Sequence, residues 1–471
     1  MDKNKELVKN TVIIFIGKFC TQFITLLLLP LYTYFLSTED YGYIDLIQTY
    51  LTFFVPLILL KIDAGIFRFL IDTRNNEEEK NKIITNGSII MLFELIVSII
   101  VFAIVIKIFT IKYSILIIMN LITLSILTFL LQIVRGTGKN KQYSFSSIIT
   151  AIVTIVLNLT FLVGFHKNGK YVLIASLISN IVCIIYLVIT NKIIKNVKIK
   201  YFDTKVIKSL LKYSIPMIPN ELSWWIVHVS DRTIISYVLG VAANGIYSVS
   251  CKFSNILSSI FNIFNLSWQE SASLHINDVD KDDFFSGVIS KVFNLFVSLC
   301  IGILACLPFV FNILIKNTYR EAYKYVPILL LANIFSVLIG LIGSIYVAKK
   351  MTKEVAKTTV LAAIINLAID IALVKFIGIY AAAISTLVSY MLLAIYRYID
   401  VQKYVKIKFL KKDIAINIII YVFTTILYYY NNIILNIINI MFAIIYAIII
   451  NKDILLEGKK IILNKIKLLK N

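Results

Sequence analysis

The sequence predicts an all-α polytopic membrane protein with about fourteen transmembrane helices, in two six-helix lobes related by a pseudo-twofold axis and followed by two C-terminal helices. Three observations carry this prediction. Of the 471 residues 59% are hydrophobic and only 15% charged, and the mean hydropathy is +0.87, far from the composition of a soluble protein. Apolar runs of about 20 residues, long enough to cross a bilayer, recur along the whole chain. Segments in the second lobe echo segments in the first at near-constant offset, the mark of an internal repeat.

The first run, residues 11–35 (TVIIFIGKFCTQFITLLLLPLYTYF), is too long for a signal-peptide core and no small-residue cleavage site follows it, so it reads as a retained helix. Runs near 43–60, 83–106, 113–134, 143–165 and 171–190 complete a set of six. A second set lies near 213–239, 244–267, 284–310, 324–347, 356–377 and 378–398, and two more runs near 413–430 and 432–450. The expected organisation is therefore an N-terminal lobe over 1–200, a C-terminal lobe over 201–400, and a last part, 401–471, with two helices and a basic tail. From Leu455 to Lys470 that tail alternates Ile and Leu with Lys, as a helix lying along the inner interface does.

The formal net charge of +21 does not point to nucleic acid. With both termini cytoplasmic, about 36 of the 47 Lys and Arg fall on the inner side and about 9 on the outer, the bias that sets membrane topology. The basic runs KIIKNVKIKYFDTKVIKSLLK and KYVKIKFLKK accordingly read as topology signals and anchors to anionic lipid. The acidic stretch HINDVDKDD, 275–283, runs against this bias, and nothing in the sequence accounts for it. All five cysteines fall inside expected helices, so neither a disulfide framework nor a metal site follows. RGTGKNKQYS at 135–144 resembles a phosphate loop, but the pattern needs glycine where Ile133 stands. No catalytic set, metal or cofactor is expected, and the longest outer loop, about 311–323, is too short to carry an enzyme's active site.

The repeat aligns FLSTEDYGYIDLIQTY at 35–50 with VLGVAANGIYSVSCKF at 238–253, and GSIIMLFELIVS at 87–98 with GVISKVFNLFVS at 287–298. Each half has an even number of helices, so both run in one direction and the expected axis lies along the membrane normal. The same register sets Lys18 opposite Glu221. Polar residues then fall on helical stripes: Lys18, Thr21, Gln22 and Thr25; Asp45, Gln48, Thr49 and Thr52; Glu221, Trp225, His228 and Arg232; Ser248, Lys252, Asn255, Ser259 and Asn262. Pro30, Pro56, Pro216 and Pro219 mark the same helices for kinks. Lys18 has two readings, a snorkelling anchor or a cavity cation; Trp225 and His228 read equally as packed interface residues. Glu94, Asn158 and Asp370 are further intramembrane polar groups, and Glu94, Glu221 and Asp370 are candidates to couple transport to protons or sodium. A polar cleft containing lysines suits an anionic solute.

LLLLPLYTYFLSTEDYGYIDLIQTY, DAGIFRFL at 63–70, RGTGK at 135–139, and YSIPMIPNELSWWI continuing to SDRTIISYVLG and GIYSVSCKF resemble bacterial polysaccharide flippases, the O-antigen and capsule repeat-unit exporters of the multidrug/oligosaccharidyl-lipid/polysaccharide superfamily. The resemblance implies an inner-membrane protein that moves an undecaprenyl-pyrophosphate-linked oligosaccharide between leaflets by alternating access, with membrane lipids and the polysaccharide polymerase machinery as partners. It makes Lys18, Asp45, Glu221 and Lys252 cavity residues and Arg68 and Arg232 pyrophosphate contacts near either mouth. Asp45 and Glu221 depart from a wholly cationic cavity. A multidrug transporter of the same superfamily and a flippase for the peptidoglycan lipid precursor stay open as alternatives; a membrane polymerase or ligase would need a larger outer loop.

Overall fold

In the computed structural model, Ile24 and residues 27–349, 351–409 and 411–456 are described. Lys18, Gln22 and the basic tail from Glu457 lie outside the described residues, as does most of the first expected helix. Among the described residues the chain is all helical, without strands, and ten helices are long and apolar enough to cross a membrane. The more polar helices Thr38–Ile58, Ile218–Val238 and Val241–His275 are not among those ten, because their charged and amide residues lower the hydropathy. The chain packs as two compact units, Met1–Val229 and Ser230–Asn471.

After a helical stretch at 27–35 the N-terminal unit continues with α1 (Thr38–Ile58), whose first turn is closed by Ser37 accepting from the Asp40 amide at 3.0 Å. Pro56 near the end of α1 removes an N–H from the helical ladder. The chain then turns through Leu60 and Lys61, both with left-handed backbone (φ 41° and 58°). Leu60 N–H donates to the Leu57 carbonyl and Lys61 N–H to that of Pro56, each at 3.0 Å, the paired bonds of a Schellman ending. Helix α2 (Ile62–Asp72) restarts at once. It packs on α3 (Glu77–Ile108) at Gly87, where a Cβ would collide with Ile66. Asn76 caps α3, and Glu77, Glu78 and Glu79 sit in its first turn, where the helix dipole favours anions.

Helices α4 (Ser114–Gly136), α5 (Asn140–Asn158, continued by a π-helical turn Leu159–Gly164) and α6 (Lys170–Asn191) follow. α4 is central, packed by α1, α2 and α6, while α5 leans on α6. The linker after α6 is pinned to α3: Asn86 donates to the Tyr201 carbonyl at 2.8 Å and accepts from the Asp203 amide at 2.9 Å. Its Lys195, Lys198 and Lys200 stay exposed beside Ile199 and Phe202. The short amphipathic α7 (Thr204–Ser214) packs on α2 and α3, and α8 (Ile218–Val238) contains the boundary between the units.

The C-terminal unit contains α9 (Val241–His275), α10 (Lys281–Leu314), α11 (Val326–Ala348), α12 (Thr352–Ile377), α13 (Tyr380–Val401), α14 (Lys411–Tyr430) and α15 (Ile433–Ile450). Its partner pattern repeats that of the first unit: α11 is central, packed by α9, α10 and α13, and α12 leans on α13. α14 and α15, outside the repeat, dock on α10. Asn294 of α10 donates to Asp413 at 3.2 Å and accepts from Asn417 at 2.9 Å, and Tyr446 donates to Asn417 at 2.5 Å. Arg397 of α13 is buried with no carboxylate on it among the described residues; Thr358 and Thr359 and the carbonyls of Ile339 and Val355 hold its guanidinium and tie α11, α12 and α13 together.

Two expected loops differ from the sequence reading. The outer connection expected over 311–323 is mostly helical, because α10 runs to Leu314 and a 3-10 helix covers Asn317–Tyr325. There Tyr323 and Tyr428 stack at 3.9 Å and each donates its hydroxyl to the other's carbonyl. The acidic stretch at 275–283 has a structural role: Asp282 accepts from the Lys406 amide at 3.0 Å and Ser286 from that of Lys408, so this stretch holds the basic segment after α13.

Candidate functional site

Two polar clusters stand out, one within each unit. In the N-terminal unit a cavity of about 170 Å³ is lined by Thr52, Phe53, Pro56 and Leu57 of α1 and by Glu221, Trp225 and Val229 of α8. Helical spacing brings Glu221, Trp225 and Val229 to one face of α8, and Thr52, Phe53 and Pro56 to the last turns of α1. Phe53 and Trp225 stack with ring centres 4.0 Å apart and planes 25° from parallel. The Trp225 indole N–H is buried with no hydrogen-bond partner among the described residues. Thr52 gives its proton to the Thr49 carbonyl at 2.8 Å, which leaves its oxygen free to accept. A wall of aromatic surface with a carboxylate and a hydroxyl oxygen can hold a polyhydroxylated ring: C–H faces against the aromatics, hydroxyls to the polar atoms.

Glu221 is held from behind. Lys61 Nζ lies 3.0 Å from its Oε1, with the lysine side chain 15% and the glutamate 35% exposed. The sequence register sets Glu221 against Lys18, which lies outside the described residues; the ammonium found on Glu221 belongs to Lys61. Sequence reasoning missed Lys61 and its neighbour Asp63. The signal for them was the charged triplet Lys61-Ile62-Asp63 directly after a proline-containing helix end.

The remaining candidates of this unit are dispersed. Asp45 is buried within α1, Gln48 is half-buried on the same helix, and Arg68 is engaged with Asp72 at 2.6 Å on the exposed side of α2. Glu94 is buried on α3 with neither carboxyl oxygen partnered among the described residues. The side chain of His228 lies outside the described residues.

In the C-terminal unit the centre is Asp231 of α8. Its Oδ2 accepts from the Tyr247 hydroxyl (α9) and the Thr386 hydroxyl (α13), both at 2.8 Å, and Asn366 of α12, with its amide nitrogen turned inward, reaches Oδ1 at 3.2 Å. Asp370, one turn beyond Asn366, is fully buried in electrostatic contact with Asp231, and neither of its oxygens has a partner among the described residues. Four helices thus bring two carboxyl groups together, with neutral donors on Asp231. Of the sequence candidates Asp370 belongs to this cluster, and Arg232 is in electrostatic contact with Asp231; Asp231 itself was not among the candidates. Arg232 and Lys252 are half-buried and Asn255 is exposed on α9. Among the described residues no group of three or more His, Cys, Asp or Glu could hold a metal ion.

Apolar spanning helices joined by short connections, with polar residues gathered on α1, α8 and α9, define a multi-pass membrane protein. Residues 7–268 match the model of the family described as "Polysaccharide biosynthesis protein", and the chain belongs to that family. Its fold is similar to that of the lipid II flippase MurJ in an inward closed conformation, at TM-score 0.68 and 17% identity over 94% of this chain and 100% of that one. It is also similar to an inward-facing multidrug resistance MATE family transporter of the MOP superfamily, at TM-score 0.68 and 9% identity over 84% and 95% of the two chains. An outward-facing MATE family transporter matches at 0.61 and 12% identity, over 85% and 95%. No curated protein matches significantly by sequence.

Proposed function

We propose that this protein is a flippase that carries an undecaprenyl-pyrophosphate-linked oligosaccharide repeat unit from the inner to the outer leaflet of a bacterial cytoplasmic membrane, for O-antigen, capsule or exopolysaccharide synthesis, by alternating access. The observation that carries this reading is that the aromatic and carboxylate-lined cavity of α1 and α8 falls wholly inside the stretch matched by the polysaccharide family model. The likeness in fold to a lipid II flippase supports a lipid-linked substrate. A sugar diphosphate entering hydrocarbon leaves many hydroxyls unpaired, at several kcal/mol each, and its charges cost far more. A cavity of about 170 Å³ takes one ring of the head group at a time. Lys18, Lys252, Arg68 and Arg232 supply the cations for the diphosphate, and Gln22, Gln48, His228 and Asn255 hydrogen-bond the sugars. Glu94, Glu221 and Asp370, the last with Asp231, serve as sites for a coupling proton or sodium ion.

Reconstitution tests the reading. Purified full-length protein in liposomes containing a fluorescent undecaprenyl-diphosphate disaccharide should expose inner-leaflet probe to an external quencher, and Trp225→Ala should slow that exposure about tenfold, the loss of roughly 1.4 kcal/mol. Transport of a cationic dye with no movement of the lipid-linked sugar would overturn the proposal in favour of the multidrug class, which the MATE-like fold makes the rival.

A further inference from the structure

Behind the cavity wall the charges do not balance. Lys61 faces two carboxyl groups, Glu221 at 3.0 Å and Asp63 in the first turn of α2, and a third, Glu94 on α3, neighbours Asp63. Asp63 is within electrostatic reach of both Lys61 and Glu221, and Glu94 within reach of Asp63. Asp63 is 6% and Glu94 7% exposed. Asp63 Oδ1 and both oxygens of Glu94 lack a hydrogen-bond partner among the described residues. The other charges on the helices packed against α2 and α3 are Glu39, Asp40 and Asp45 on α1, Arg135 on α4, Lys195 and Lys200 on the short helical turns after α6, and Lys205, Lys208 and Lys212 on α7. Arg135 sits over the Phe67 ring, a full turn along α2 from Asp63.

Two neighbouring carboxylates cannot both stay ionised in a buried site without a cation between them. Lys61 is a single ammonium, 3.0 Å from Glu221 and within electrostatic reach of Asp63, so one cation is shared between them. We propose that Asp63 and Glu94 form a proton-binding site inside the N-terminal unit, filled or emptied according to whether Lys61 sits on Glu221 at the cavity wall or turns inward to Asp63. The proton comes from water when Lys61 engages Glu221 and returns to water when the ammonium arrives, so the buried charge stays balanced. The backbone suits this exchange: Lys61 lies in the left-handed turn between two helices, where a small rotation redirects its side chain. Head-group hydroxyls binding Glu221 in the cavity would weaken its hold on Lys61, and through this link a sugar would govern the proton. That last step rests on the flippase reading; the proton site does not.

Infrared difference spectroscopy on full-length protein in lipid, without substrate, reads the protonated-carboxyl stretch directly. The wild type should show such a band near neutral pH, part of which Glu94→Gln and Asp63→Asn each remove, while Asp370→Asn leaves that part in place. Glu221→Gln, by releasing Lys61, should abolish the same component, and Lys61→Gln should preserve it to higher pH. Each variant is compared as a monodisperse species by gel filtration, and the milder Glu94→Asp should shift the component rather than delete it. A spectrum unchanged in both Glu94→Gln and Asp63→Asn overturns the site. A component that survives Glu221→Gln overturns the Lys61 exchange. Because no substrate is present, neither result depends on whether the protein moves sugars, which the quenching assay decides separately.

Discussion

Thr38–Asp72 and Val241–His275 are equivalent segments of the repeat and equally long, yet the first is two helices and the second is one of 35 residues. At the position of Pro56 the second segment has Ser259, whose hydroxyl donates to the Asn255 carbonyl at 2.8 Å within an unbroken ladder. At the position of Lys61 it has Phe264, which packs near Phe261. One residue without an N–H therefore separates a corner, with Lys61 on Glu221, from an unbroken helix. The glycines differ in the same way. Gly87 is needed because α2 presses on it, whereas its counterpart Gly287 has open space around it.

The outer faces of α3 and α10 extend the comparison. Glu94 corresponds to Asn294 in the repeat, but Asn294 is satisfied by Asp413 and Asn417 of the docked α14. Leu92, Phe93, Ile96 and Ile100 of α3 remain exposed, as residues facing lipid do. Half of the apolar stretch of α10 is buried, against 22% of that of α3. The extra helices convert one copy of a shared surface into an internal interface.

Breaking the straight copy should have the largest effect. Ser259→Pro in α9 removes a ladder bond and forces a clash, costing about 3 kcal/mol, and should lower the melting temperature more than any other change proposed here; an unaltered melt would mean that α9 tolerates the kink of α1. Asn294→Ala should come next. It strips the Asn417 amide of its partner inside the α10–α14 interface, at about 2 kcal/mol, and should speed proteolytic cleavage before α14. Equal cleavage in variant and wild type would show that apolar packing alone holds the two helices. The smallest effect is expected at the broken copy itself. Leu60→Gly relieves a left-handed leucine at a gain of about 1 kcal/mol, less the entropy that glycine adds to the unfolded chain, so the melt should rise slightly; a fall would show that the Leu60 side chain contributes more than its backbone costs.

Much of the fold was legible because membrane insertion imposes length and apolarity on each helix separately, and these are local properties. The boundary of α13 and the pairing of 87–98 with 287–298 could be read from hydropathy and identity alone. The candidate site was legible only in part. Glu221 and Trp225 were found because they break an apolar run at helical spacing. Lys61 and Asp63 were passed over because they follow a helix end, where charged residues are ordinary. Asp231 was absent from the candidates, since its hydrogen bonds come from α9, α12 and α13, further along the chain.

By itself the sequence determined that the chain is helical and membrane-embedded, that it repeats, and that polar residues concentrate on the first helices of each half. Helical period and transfer free energy act within one segment and need no knowledge of its neighbours. Only the tertiary structure decided which carboxyl groups are satisfied. Asp231 with its two hydroxyls and an amide, Asn294 bound to α14, and Glu94 and Asp370 without donors among the described residues all look alike as polar letters in apolar runs. What separates them is the set of groups that other helices bring within about 3 Å, the range over which a hydrogen bond forms or fails.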